Sequence, residues 1–202
     1  MIDIDNKIYT TKNFYKSKYD KTQIILAGSL YKKNYHIKRM KYKDGGESKE
    51  WCTFSISRDG KIFQHYDPKY YSDFMHDKNI DKKSISIVLE NMGMLFYDYE
   101  SGSYLNWSHH KCDEDLVFER KWNGHTYWEK YTNEQHKSLV DLCNYLIDQF
   151  VIERDCLGFN VYHENTKNFD GIVTRSNYSQ DHTDLNPSFD FKKFLTDLKI
   201  DM

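Results

Sequence analysis

Histidine, aspartate and cysteine side chains stand at several positions of this chain where they could bind a metal ion. His182 and Asp184 lie two residues apart, so in an extended segment both side chains would point to the same face. His76 and His163 are further nitrogen ligands of the kind that zinc accepts, and Cys52 would be a softer ligand. The residue types therefore leave open a metal site built on His182 and Asp184.

Cys52 also permits a second kind of chemistry, nucleophilic attack by its thiolate with His76 or His182 as the base. Such a thiol needs a lowered pKa, whereas a cysteine packed inside a strand is inert, and both interpretations stay open. The His-His-x-Cys run at residues 109–112 has no second ligand pair at a zinc-type spacing. The four cysteines contain no CxxC pair, so we expect them to be reduced and mostly buried.

Charge and hydropathy narrow the range of functions. Lys and Arg number 29 against 31 Asp and Glu, and this net charge of −2 argues against non-specific nucleic-acid binding. The stretch from Lys32 to Lys43 is the one basic exception. No apolar run reaches the length of a membrane span, and the first residues lack a signal-peptide pattern. We therefore expect a cytoplasmic protein whose partner is neither a nucleic acid nor a membrane.

The apolar pattern predicts one α/β domain over residues 1–202, with a mixed central β-sheet flanked by helices. The predicted strands, including a hairpin with Arg58-Asp59-Gly60 as its turn, lie at residues 22–27, 51–66, 84–91 and 171–174. Thr132 and Gln135 have the spacing of a capping box before a helix with one apolar face. A final helix is predicted from about Ser188.

An aromatic-rich insert at about residues 97–131 is predicted to be largely irregular. Trp122 and Trp128 flank Asn123-Gly124, a turn signal that favours two short strands in this part of the insert. The aromatic rings could stack on sugars, cover the sheet as a packing lid, or form a protein-binding patch.

Four segments, in the same order and at similar spacing, resemble the type-2 N-acetylmuramoyl-L-alanine amidases and the related peptidoglycan-recognition proteins. FSISRDGKIFQHYDP is similar to the family's strand-RDG-strand hairpin. FMHDKNIDKKSISIVLENMG is similar to its His-bearing loop followed by a strand of the form SIGIELxNxG. YTNEQHKSLVDLCNYL falls where the family has a long TxxQ helix, and IVTRSNYSQDHTDLNPSFDF is similar to its closing segment. The resemblance covers roughly residues 20–195.

The resemblance implies a zinc enzyme that cleaves the bond between the lactyl group of N-acetylmuramic acid and the first L-alanine of the stem peptide. In that family two His and a Cys or Asp hold the zinc, and a Tyr and a Lys assist at the oxyanion. A zinc ion with one open position acidifies its bound water and polarises the amide carbonyl.

Two of the three zinc ligands implied by the resemblance are absent from this chain. Ala27 stands at the position of the first His, and its methyl group cannot bind a metal. Arg175 stands at the position of the second His, and its guanidinium is permanently charged and has no free lone pair. Only Asp184 matches the third ligand, so zinc is the family's cofactor but none is expected here.

Other positions of the family's site also differ. Cys52 stands where the assisting Tyr is expected, with Trp51 adjacent to it, and His182 stands in place of the Lys. His76 matches the family's loop His, within FMHD, and Asn91 matches the Asn of the strand motif. The candidate catalytic positions are therefore degenerate, with His182 and Asp184 as the ligands of any metal that binds.

We hypothesise that Arg175 pairs with Asp184 and replaces the charge of the metal with a fixed one. The sequence then predicts an inactive amidase-like protein that binds a peptidoglycan fragment or a protein partner. The candidate binding residues are His76, Asn91, Trp51, Trp122 and Trp128. The alternatives are an endolysin-like active amidase with a rearranged metal site, or a phage factor that binds a host protein. Composition and size favour a bacteriophage origin, and hence the cytoplasm of an infected bacterium or a virion.

Overall fold

The computed structural model describes residues 2–33 and 35–201 and contains two β-sheets with flanking helices. The eleven strands, in chain order, are β1 (Ile4–Asp5), β2 (Gln23–Gly28), β3 (Phe54–Ile56), β4 (Ile62–Gln64), β5 (Ser84–Leu89), β6 (Met94–Asp98), β7 (Ser103–Asn106), β8 (Lys111–Cys112), β9 (Val117–Trp122), β10 (His125–Glu129) and β11 (Gly171–Thr174). The α-helices are α1 (Tyr35–Tyr42), α2 (Lys78–Lys83), α3 (Asn133–Phe150), α4 (Arg175–Tyr178) and α5 (Phe191–Leu198).

The larger sheet has the strand order β1-β4-β3-β5-β2-β11. Strands β3, β5, β2 and β11 run parallel to one another, and β4 is antiparallel to β3 through the hairpin. Every residue of β2 and β5 is buried, because these strands are the inner ones and both of their faces are covered. The predicted α/β fold with a mixed sheet and flanking helices is confirmed.

The long helix α3 covers one face of the larger sheet. It begins with the predicted capping box, in which the Thr132 hydroxyl accepts from the Gln135 amide at 3.0 Å. Its apolar stripe and the apolar face of α5 join the main core together with β2, β3, β5 and β11. None of the helices in the described ranges combines the length and the apolar character that a bilayer crossing requires.

The aromatic-rich insert forms the smaller sheet, so the prediction that it is largely irregular was wrong. Its five strands are antiparallel in the order β8-β7-β6-β10-β9, and they lie in the chain between β5 and α3. The predicted turn at Asn123-Gly124 joins β9 to β10, with positive φ at both residues, as a tight hairpin turn requires. Strand β9 reads VFERKW and is largely solvent-accessible, so its polar residues mask the strand pattern in the sequence.

Candidate functional site

The carboxyl ends of three parallel strands meet at one edge of the larger sheet, and the residues predicted for the zinc site gather there. In the ladder between β2 and β5, Ala27 lies opposite Val88. Arg175 follows directly after β11, the other neighbour of β2. Asp184 reaches this edge from the closing segment and accepts the Gly28 amide at 3.1 Å. Ligand sites of α/β sheets form at such carboxyl edges.

The predicted pairing of Arg175 with Asp184 is present. The Nε atom of Arg175 lies 2.6 Å from Oδ2 of Asp184, and its Nη2 atom donates to the Gly28 carbonyl at 3.0 Å. The Asp184 side chain is 2 % exposed and that of Arg175 is 20 % exposed. A carboxylate at this depth needs a compensating charge, and the guanidinium supplies it together with two anchoring bonds.

The second carboxylate oxygen of Asp184, Oδ1, is buried and has no hydrogen-bond partner among the described residues. The Tyr131 hydroxyl and Asp184 both border Gly28, since a Cβ added to Gly28 would meet that hydroxyl at 3.2 Å and the Cβ of Asp184 at 3.4 Å. Burial raises the pKa of Tyr131, and the neighbouring negative charge of Asp184 raises it further. The phenol therefore stays protonated and neutral beside the ion pair.

The remainder of the site is apolar. Ala27, Cys52 and Val88 form a buried cluster, against which Met40 and Phe74 pack. The guanidinium carbon of Arg175 lies 5.8 Å from the centre of the Phe74 ring, within the range of a cation–π contact. The ion pair is thus bordered by hydrocarbon.

Val88 is a further departure from the family's pattern, and it was not among the predicted site residues. In the family's strand pattern SIGIELxNxG, the position of Val88 is a glutamate. Aligning the pattern with SISIVLENMG residue by residue would have found it. The place of an acid that could accept a proton or ligate a metal is taken by an aliphatic side chain.

This set of residues does not fit zinc. Only the Asp184 carboxylate could donate to a metal, since Ala27 offers a methyl group and Arg175 a fixed positive charge that repels a cation. Across residues 2–33 and 35–201, no group of three or more His, Cys, Asp and Glu side chains could hold a metal ion. The described residues therefore do not form the relocated metal site considered above.

The individual histidines explain that result. His76 is exposed in its loop, with Nε2 lying 3.9 Å from a carboxylate oxygen of Glu50. His182 is half-buried, and burial, followed by the charge of Arg175, lowers its pKa. A lowered pKa keeps His182 neutral near pH 7, which leaves the ion pair undisturbed.

Cys52 does not have the properties of a nucleophile. It is fully buried, and burial raises the pKa of its thiol to about 12, although the charge of Arg175 opposes the shift. A thiol with so high a pKa is hardly ionised at neutral pH, so the nucleophile interpretation fails on the environment of the sulfur.

Three of the predicted binding residues have structural roles instead. Trp51, Asn91 and Trp128 are 3 %, 1 % and 0 % exposed, so their side chains are closed to a ligand from solvent. The side-chain oxygen Oδ1 of Asn91 accepts from Nδ2 of Asn186 at 2.9 Å, and its Nδ2 donates to the backbone carbonyl of Glu129 at 3.1 Å. Asn91 therefore ties the closing segment to the smaller sheet.

The two tryptophans of the insert are placed differently from each other. Trp128 donates its indole N–H to the Arg120 carbonyl at 2.8 Å inside the smaller sheet. Trp122 is half-buried, with its ring centre 5.4 Å from that of Trp128. Of the predicted binding residues, His76 and Trp122 keep side chains that solvent reaches.

Comparison with known proteins agrees with this arrangement of strands and helices. A family model described as N-acetylmuramoyl-L-alanine amidase matches residues 10–185. None of the curated proteins is detectably similar in sequence.

Solved amidase structures share the fold at low sequence identity. The endolysin N-acetylmuramoyl-L-alanine amidase LysCS from Clostridium intestinale is 13 % identical with a TM-score of 0.59, and the similarity covers 100 % of this chain and 98 % of that one. AmiD from E. coli, in complex with its substrate anhydro-N-acetylmuramic acid-L-Ala-D-γ-Glu-L-Lys, is 13 % identical with a TM-score of 0.58, over 95 % and 63 %. AmpDh3 from Pseudomonas aeruginosa, in complex with an anhydromuramic pentapeptide, is 13 % identical with a TM-score of 0.54, over 99 % and 67 %.

Proposed function

The chain belongs to the N-acetylmuramoyl-L-alanine amidase family, and on that premise we propose that it is an inactive member that acts by binding a peptidoglycan fragment. The observation that carries the proposal is the ion pair between Arg175 and Asp184 at the place of the family's zinc. The guanidinium is covalently attached and cannot activate water as a metal does.

Loss of the metal would remove most of the catalytic power of this fold. Amide hydrolysis at a zinc centre depends on a metal-bound water of lowered pKa and on polarisation of the carbonyl by the metal. Arg175 could still donate a hydrogen bond to a carbonyl or carboxylate, but it supplies no nucleophile. Val88 and the protonated Cys52 thiol offer no general base in its place.

The support for a peptidoglycan fragment as the ligand comes from the relatives. AmiD and AmpDh3 are described in complexes with muramic acid peptides, and they share the arrangement of strands around the site. Such fragments carry carboxylates, and the partly exposed guanidinium of Arg175 is a suitable donor for them. A binding role needs the residues at this sheet edge, but it does not need the metal.

The first test measures metal content and activity on the same preparation. The protein is purified without a histidine tag after zinc supplementation, and its zinc is measured by elemental mass spectrometry beside an active zinc amidase. We expect near-zero zinc and no release of stem peptides from purified sacculi. One equivalent of zinc together with hydrolysis would show an active amidase with a rearranged site and would refute the proposal.

The second test measures binding with purified sacculi in a pull-down assay. We expect retention of the protein on sacculi, and reduced retention of the variant His182→Ala, which alters the accessible rim of the site. The matched control is His125→Ala, which removes a half-buried imidazole from the smaller sheet. Absence of retention by the unaltered protein would exclude peptidoglycan as the ligand.

A second candidate function, binding to a host or phage protein, is favoured by one observation. Tyr97 and Tyr99 on and beside β6 are 37 % and 89 % exposed, and their rings contact edge-on with centres 5.1 Å apart. Adjacent exposed aromatic side chains are frequent in protein interfaces. This candidate predicts that the protein is not retained by sacculi, that it binds a defined protein partner, and that Tyr99→Ser removes that binding.

A further inference from the structure

A basic segment and an aromatic turn form a groove whose lining includes none of the site positions Ala27, Cys52, Arg175 and Asp184. From Tyr31 to Lys43 the chain carries six Lys or Arg residues and no Asp or Glu, although the whole protein is slightly acidic. Helix α1 lies within this segment, and the turn between β7 and β8 faces it. Together they line a cavity of about 730 Å³, and the residues around it are Tyr31, Tyr35, Lys38, Arg39, Tyr42, Lys43, Trp107, Ser108 and His110.

The aromatic wall of the groove is held in place by hydrogen bonds. The indole N–H of Trp107 donates to the Leu30 carbonyl at 2.8 Å, while the ring remains 47 % exposed. The Asn106 side chain accepts from the amides of Ser108 and His110 at 3.2 and 2.9 Å, which fixes the turn. A stacking partner would therefore meet a ring that is already immobilised, with little further loss of entropy.

The facing wall combines rings with unpaired cations. Tyr31 contacts Trp107 edge-on with ring centres 5.1 Å apart, and Tyr35 lies 5.4 Å from Tyr31 and is 49 % exposed. Within the described part of the chain, Lys38 and Arg39 form no ion pair with a carboxylate, so their charges are available to a ligand.

The chemistry of the groove distinguishes between ligands. Sugars offer many uncharged hydroxyl groups, and apart from hydroxyls and an imidazole the described lining residues bring no side-chain acceptor, since none of them is Asp, Glu, Asn or Gln. A ligand with repeated negative charge and flat rings uses every feature present, because phosphates pair with Lys and Arg and bases stack on aromatic rings. From this geometry we propose that the groove between α1 and the β7–β8 turn binds single-stranded nucleic acid.

This inference is independent of the proposed function and reverses an expectation drawn from net charge. The overall charge of −2 averages over the chain and so conceals a local cluster of positive charge. Electrostatic binding to a strand depends on the charges within about a Debye length of its phosphates. A concave surface also favours a strand over a flat membrane.

The experiment is a fluorescence anisotropy titration of the whole protein with labelled decathymidylate. Two phosphates neutralised by Lys38 and Arg39 predict a slope of about −1.4 for log K against log salt, measured between about 50 and 200 mM. Lys38→Glu/Arg39→Glu should weaken binding at least tenfold, and Trp107→Leu or Tyr35→Leu at least about fivefold, as expected for a lost base stack. The matched charge control is Lys121→Glu/Lys192→Glu, two exposed lysines outside the groove, and it should change the affinity less than twofold.

Two further probes separate stacking from general attraction to polyanions. An abasic decamer of the same charge should bind the unaltered protein several-fold more weakly than decathymidylate, and Trp107→Leu should abolish that difference. Circular dichroism and melting curves identify any variant that fails to fold. If Trp107→Leu fails to fold, Tyr35→Leu tests the stacking in its place. Equal binding of decathymidylate, the abasic decamer and poly-L-glutamate would overturn the proposal. So would a failure of decathymidylate to bind, or a groove that binds wall glycan and not decathymidylate.

Discussion

Replacement of Arg175 by methionine should destabilise the protein strongly, because it leaves the Asp184 carboxylate buried without its cation. Removing one partner of a buried ion pair typically costs about 3–5 kcal/mol of unfolding free energy. Arg175 keeps a 20 % exposed side chain, so water reaches the pair from one side, and we place the expected cost at about 3 kcal/mol. Methionine retains the apolar stem against Phe74 and the buried cluster, so lost packing contributes little.

A double-mutant cycle isolates the interaction from the individual changes. The variants are Arg175→Met, Asp184→Asn and the two combined, each measured by guanidinium unfolding with the slope m compared across the set. Asp184→Asn should cost less than Arg175→Met, since the freed guanidinium still reaches solvent and the Gly28 carbonyl. The combined variant contains no uncompensated charge, and we expect a coupling energy of about 2 kcal/mol or more.

If Arg175→Met costs less than about 1 kcal/mol and the two changes add within about 0.5 kcal/mol, the pair behaves as a surface ion pair. The guanidinium would then not be the replacement for the metal charge. A control at an exposed pair, Lys61→Met beside Asp59, should cost less than about 1 kcal/mol under the same conditions.

Four further outcomes are expected. Added zinc should leave the melting temperature unchanged, whereas a site filled at about a hundredfold excess over Kd would add about 2.7 kcal/mol of stability. Iodoacetamide should not label Cys52 in the native protein at pH 8, since burial raises its pKa to about 12, and rapid labelling without unfolding would contradict its assigned environment. Gly60→Ala should lower the unfolding free energy by about 1–3 kcal/mol, because the φ of Gly60 is +81° and the new methyl would meet the Glu134 carbonyl and the Ser138 hydroxyl at 2.9 Å. An unchanged free energy in urea unfolding would show that the turn relaxes. Burial raises the pKa of Asp81 to about 7, so the folded state binds this proton more tightly than the unfolded state, and the resulting stability is fully present below about pH 4 and lost as the pH rises through 7. Above pH 7 the unfolding free energy of Asp81→Asn should therefore exceed that of the unaltered protein by about 2–4 kcal/mol, and the difference should close in acid. A difference that does not change with pH would refute this origin.

Much of the larger sheet could be predicted from the sequence because its signals are local. The apolar run of β2, the RDG turn and the capping box at Thr132 each depend on residues within a few positions of one another. The ion pair could also be predicted, since the family's pattern placed Arg175 and Asp184 at one site and the electrostatics of a buried carboxylate required a partner.

The rest depends on contacts distant in sequence. Asn91 was predicted to be a binding residue, but its side-chain amide joins Asn186 and Glu129, which lie far along the chain. The smaller sheet pairs β6 with both β7 and β10, and its polar strands carry little two-residue periodicity. The groove beside Trp107 needs residues from α1 and the insert together, so neither segment reveals it alone.

The proposed replacement of the metal by Arg175 changes what the folding of the closing segment depends on. A metal-held segment obeys mass action: it forms and dissolves with the concentration of free ion, and a chelator competes for the ligand. The guanidinium of Arg175 is delivered by β11 itself, so its effective concentration at Asp184 is set by chain geometry and cannot be diluted. The folded population of this protein should therefore be the same in zinc-starved and zinc-rich surroundings.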